Sequence, residues 1–148
     1  MRTRRESKPP EVELYAARLW GARLAEQVVS VYGTRDVLKI AKRAGVRVVY
    51  ERWPLVTAGE CEASSAMVSV NLNALERTQD IGGKKRSAAC RSAEVIVAHE
   101  LGHLFDWKMR GQTAEKDSTG VLAEEVAHGF AERMLQLPFR VEEFEKLW

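Results

Sequence analysis

The sequence is short of the features that would set it apart from ordinary globular proteins. Its 148 residues hold only two cysteines, Cys61 and Cys90, with no CxxC spacing. Such a pair makes no disulfide framework, and both are expected as free thiols in a reducing compartment. No apolar run approaches the about 18 residues needed to cross a bilayer. The N-terminus is basic, with Arg2, Arg4, Arg5 and Lys8, but Pro9, Pro10, Glu11 and Glu13 follow where a secretion signal would carry its apolar stretch. A cytoplasmic protein is therefore expected. The net charge of +2 is too small to argue for nucleic acid by itself. What remains, 45% hydrophobic and 30% charged residues, is enough for one packed domain. We expect that domain over 11–148, behind a flexible basic tail at 1–10.

The order of elements is readable from periodicity. Tyr15, Leu19, Leu24, Val28 and Val31 recur at helical steps and predict a helix from Glu11 to Tyr32. A second short helix is expected from a Thr34 cap to Ala44, stopped by Gly45. Val46 to Tyr50 is rich in β-branched residues and predicts a strand. Pro54 and Gly59 leave room for a short irregular strand, and Met67 to Leu72 alternates as a strand with one wet face. Gly82-Gly83 and the basic residues after it, Lys84, Lys85 and Arg86, predict a mobile loop. Ser87 to Arg110 is strongly helical and ends at Gly111. After a polar connection from Gln112 to Gly120, a helix is expected from Val121 to Gln136, ending before Pro138. A short closing helix is expected from Val141 to Trp148. Helices, a small three-stranded sheet and more helices make an α+β domain.

The chain has only three histidines, and two of them form His99-Glu100-Leu101-Gly102-His103 inside the long helical stretch. Positions i and i+4 of a helix share one face, so His99 and His103 offer two imidazoles to one point, as tetrahedral zinc requires. Glu100, beside the first ligand, is placed to reach a water on the metal and to act as general base. Zinc chemistry also needs a third protein ligand. The next helix offers Glu124 or Glu125, and His128 is a further possible ligand. Asp106 is a second possible partner for orienting a ligand imidazole.

Glu124-Glu125-Val126-Ala127-His128 resembles the second motif of Glu-zinc peptidases such as thermolysin. On that pattern Glu124 is the ligand, Ala127 the small residue and His128 the polar neighbour that orients a ligand or the substrate. From about residue 15 the chain resembles the ImmA/IrrE family of metallopeptidases. Ala98-His99-Glu100-Leu101-Gly102-His103, Glu124 through Ala131, and Arg133-Met134-Leu135-Gln136-Leu137-Pro138 carry the likeness, although family members commonly show Glu-Ala-Asn where Val126-Ala127-His128 stands here. The resemblance implies a minimal Glu-zinc peptidase fold holding one zinc ion per chain. It also implies a helix-turn-helix transcriptional repressor as protein substrate, cut to release mobile-element or stress genes.

For docking, the edge of the strand formed by Met67, Val68, Ser69, Val70 and Asn71 is expected to pair with an extended peptide. Tyr32, Tyr50, an arginine or His128 must supply any oxyanion donor besides the metal. Three other readings stay open: a non-catalytic zinc-containing module that sequesters a repressor or antitoxin, a metal-dependent hydrolase of another substrate, and a DNA-binding protein using the basic N-terminus. Manganese or another divalent ion is an alternative to zinc.

Overall fold

The computed structural model describes residues 9–55, 57–82, 86–111, 120–137 and 140–141. The basic tail at 1–8, Lys84 and Lys85, the connection at 112–119, Pro138 and residues 142–148 of the expected closing helix lie outside them, as does the side chain of Cys90. The described residues form an α+β domain of five helices and one three-stranded sheet. In chain order these are α1 (Glu11–Tyr32), α2 (Val37–Arg43), β1 (Arg47–Glu51), β2 (Gly59–Glu62), β3 (Met67–Asn71), α3 (Leu72–Gly82), α4 (Arg86–Arg110) and α5 (Val121–Leu135). None of the helices is long and apolar enough to cross a membrane.

Local chemistry accounts for most boundaries. Gly33 closes α1 in the left-handed region at φ 71°, and its N–H donates to Val29 O, a conformation that glycine adopts without a Cβ penalty. The α2 cap corrects the expectation of Thr34. Asp36 is the N-cap, its carboxylate accepting from the Leu38 and Lys39 N–H groups. The Thr34 hydroxyl instead accepts from the Asp36 N–H. The stretch after Asn71 is also corrected: Leu72 opens a helix, and Gly82 ends it.

The sheet runs β1-β3-β2, with β1 parallel and β2 antiparallel to β3. The expected free edge at Met67–Asn71 is therefore wrong. β3 is the central strand and both of its sides are already paired, which leaves no backbone donors for a peptide. Its expected wet face is also absent, because Ser69 and Asn71 are buried along with Val68 and Val70. Asn71 is structural. Its Nδ2 donates to Thr57 O at 2.9 Å and its Oδ1 accepts from the Asn73 N–H at 3.0 Å, pinning the loop that precedes β2.

α4 lies at the centre. Val95, Ile96, Val97, Ala98, Leu101 and Leu104 are all buried and point to several neighbours rather than one, as expected for a helix covered on most sides. α5 packs against it through Phe130, which sits over Gly102: a Cβ there would meet the Phe130 ring at 3.1 Å. On its other side α5 meets α1 at near backbone contact. A Cβ on Gly21 would fall 1.9 Å from Val126 O, and one on Gly129 would fall 2.1 Å from Arg18 O. Only glycine permits such an approach. Arg18 then fixes the pair, Nε donating to Glu125 at 3.0 Å and Nη1 to Glu132 at 2.6 Å.

Candidate metal centre

α4 and α5 bring the motif residues to one place. Nε2 of His99 lies 3.1 Å from Glu124 Oε1, and Nε2 of His103 lies 3.0 Å from Glu124 Oε2. One carboxylate thus faces both imidazoles, one oxygen to each. The two rings stand edge to face with centroids 4.9 Å apart. His128 closes the cluster from α5, its ring 5.2 Å from that of His99 and its Nε2 3.9 Å from Glu124 Oε1. Donor atoms of His99, Glu124 and His128 lie within 4.8 Å of one another, a group that can hold a metal ion. His99 and Glu124 thus belong to either ligand set, and His103 and His128 contend for the third place. His103 contacts the other carboxylate oxygen, Oε2, at 3.0 Å and lies outside that group of three, whereas His128 Nε2 lies 3.9 Å from Oε1 within it.

The choice between the two glutamates follows from their partners. Glu125 is turned away and bonded to Arg18 on α1, whereas Glu124, one position earlier, faces the imidazoles. A single helical step rotates a side chain by about 100°. Asp106 does not orient an imidazole, and it is not exposed. It is 2% exposed and accepts from Trp20 Nε1 at 2.9 Å and from Arg110 Nε and Nη2 at 2.7 Å each. Tyr32 packs against Phe105 in the core, and Tyr50 sits on β1, two strands away from β2. Neither lines the cavity at the cluster.

The donor set suits a divalent cation of intermediate softness: two imidazole nitrogens and a carboxylate, converging from two rigid helices. His99 Nδ1 is buried with no hydrogen-bond partner among the described residues, so the polar reach of this ring is directed through Nε2 into the cluster. Burial alone would raise the Glu124 pKa, but His103 and His99 outweigh it and hold the carboxylate well below its ordinary range. Burial also opposes charge on His103, and Glu124 with Glu100 overcomes it and raises that pKa. Glu100 behaves differently. It is 8% exposed, and burial pushes its pKa up against the pull of His99 and His103.

Two cavities flank the cluster. One of about 290 Å³ lies beside His99, Glu100 and Glu124, walled by Leu55, Ala58, Gly59, Val95, Ile96 and Val141. The other, of about 410 Å³, lies beside His103 between Cys61, Ala63, Leu104, Trp107 and Ala123. β2 borders both. It reaches the helix because residue 59 is glycine: a Cβ there would strike Ile96 at 2.5 Å and crowd Glu100 at 3.2 Å. The sequence reading missed β2 as a wall of the site. Its one visible signal was a glycine inside a short strand, which marks close approach of another group. Comparison with protein families, curated proteins and solved structures finds no match for this chain.

Proposed function

We propose that this protein is a zinc-dependent endopeptidase, with His99, His103 and Glu124 as ligands and Glu100 as the general base. The observation that carries the reading is the placement of the two Glu124 oxygens, 3.1 and 3.0 Å from the Nε2 atoms of the two motif histidines. The three donors come from two helices, so the coincidence is tertiary as well as local.

Zinc, when bound, supplies Lewis acidity that brings the pKa of water toward about 7 and polarises the scissile carbonyl. The chain's own residues do the rest. Glu100 takes the proton of the attacking water and delivers it to the departing amine. Its burial moves its pKa toward the working range of a base that must also act as an acid. Leu55, Val95 and Ile96 form an apolar wall beside it that keeps bulk water from competing. His128 stands beside the cluster, its Nε2 3.9 Å from Glu124 Oε1, where it orients that ligand or donates to charge developing on the carbonyl oxygen. The substrate strand docks on β2 rather than β3, because among the described residues β2 pairs only with β3 and its other side is open.

Resemblance to the ImmA/IrrE family supports a helix-turn-helix repressor as the substrate. The test is incubation of the purified protein with helix-turn-helix repressors of the same cell, with zinc and with chelator. Zinc-dependent cleavage, absent in the Glu100→Gln variant, is expected. Zinc-dependent capture without cleavage would instead describe a sequestering module, and no interaction at all would remove the repressor from the account.

A further inference from the structure

β2 reads Gly59-Glu60-Cys61-Glu62, and its residues alternate between half-buried and exposed. The Asn71 N–H donates to Ala58 O at 2.9 Å, and the register pairs Gly59 with Val70 and Cys61 with Val68. In an antiparallel ladder bonded and non-bonded pairs alternate. The N–H and C=O groups of Gly59 and Cys61 therefore point away from β3, toward the open side. The position of Gly59 faces Ile96 and Glu100 on α4; Cys61 faces the same way and borders the second cavity. Glu60 and Glu62 point out on the opposite face.

Among the described residues those two carboxylates have no cation. Glu60 accepts from the Thr57 hydroxyl at 3.3 Å, and Glu62 accepts from the Ser65 hydroxyl. Arg52, in the preceding loop, is committed to Glu76 and Asn73. An added strand places alternate side chains over these two faces. Positions beside Gly59 and Cys61 face the aliphatic walls of the two cavities, Leu55, Val95 and Ile96 near His99 and Ala63 and Leu104 near His103, and the position between them lies against Glu60. Opposite charges on neighbouring strands attract and like charges repel. An acidic edge also rejects indiscriminate strand pairing.

We infer that the site selects an extended peptide in which one basic residue lies between two apolar ones, the basic side chain over Glu60 and Glu62 and the apolar side chains in the cavities beside His99 and His103. This specificity rests on the peptidase reading, and it holds for either direction of the added strand because side-chain alternation is the same in both.

The test uses three fluorescent peptides, identical except for a central Lys, Gln or Glu between Leu and Phe. Binding is measured by anisotropy to the zinc-loaded Glu100→Gln protein, and cleavage is measured separately with zinc-loaded wild type. The Lys peptide is expected to bind about fivefold tighter than the Gln peptide, and the Glu peptide more weakly again. Changing Glu60→Gln and Glu62→Gln together should erase most of that order, and replacing Leu and Phe by Ser should weaken all three peptides. Equal affinities, an order unchanged in the double variant, or no binding at all would overturn the inference. Cleavage without charge preference would overturn it too while preserving the peptidase reading. Charge-ordered binding with no cleavage by wild type would preserve the inference and overturn the peptidase reading.

Discussion

The two helices that build the cluster do so by different means. α4 aligns His99 and His103 through covalent spacing alone, since any α-helix holding residues four apart presents them together. α5 delivers Glu124 only because it is packed where it is: Phe130 over Gly102, and Gly129 against the backbone of Arg18. Half of the site is local and survives as long as one helix does. The other half is tertiary, and distant packing changes should reach it.

The largest effect is expected at the base. Glu100→Gln should lower cleavage by about 10²- to 10⁴-fold while zinc content stays at the wild-type level; loss of zinc would move Glu100 into the ligand set. The same change should raise the melting temperature of the metal-free protein. A buried carboxyl with a raised pKa costs nothing below the unfolded-state value of about 4.3, and its ionisation erodes stability as pH rises through the folded value. The gain should therefore be present at pH 8 and vanish near pH 4 in calorimetric scans.

Phe130→Ala should come next, at about 3–5 kcal/mol in urea unfolding, because a fully buried ring between α4 and α5 is removed. Gly129→Ala sharpens the contrast between the helices. Its Cβ must push α5 from α1 at about 1–3 kcal/mol, and zinc affinity should fall with it although no ligand is changed. Unaltered affinity in a folded variant would mean that Glu124 does not depend on this contact. The smallest effect is expected for His128→Ala, about 10- to 100-fold in zinc affinity by titration, as for a residue that orients a ligand. Complete loss of zinc there, with zinc retained in His103→Ala, would exchange the roles of the two histidines.

This division also explains what could be read from the chain. Four of the five described helices, α1, α2, α4 and α5, and the His99–Glu100–His103 motif were legible because they rest on spacing within one element; α3, which directly follows a strand at Leu72, was not. The bounds of α1 and the ends at Gly33 and Gly111 followed from periodicity and glycine in the same way. Strand order was not legible. Met67–Asn71 alternates like an edge strand, yet pairing with both β1 and β2 is a long-range choice that its own residues do not encode. Asn71 looked like a groove residue because a polar side chain at a strand end has no visible partner until the 53–58 loop folds over it. The decision between Glu124 and Glu125 was likewise open until Arg18, more than a hundred positions earlier, took one of them.

The most direct measurement is X-ray absorption at the zinc edge of the purified protein, compared with Glu124→Ala. One zinc per chain is expected, with two imidazole nitrogens and a carboxylate oxygen at about 2.0–2.2 Å and loss of the oxygen contribution and of affinity in the variant. An unchanged zinc environment without Glu124, or no zinc in the wild-type protein, would contradict the account.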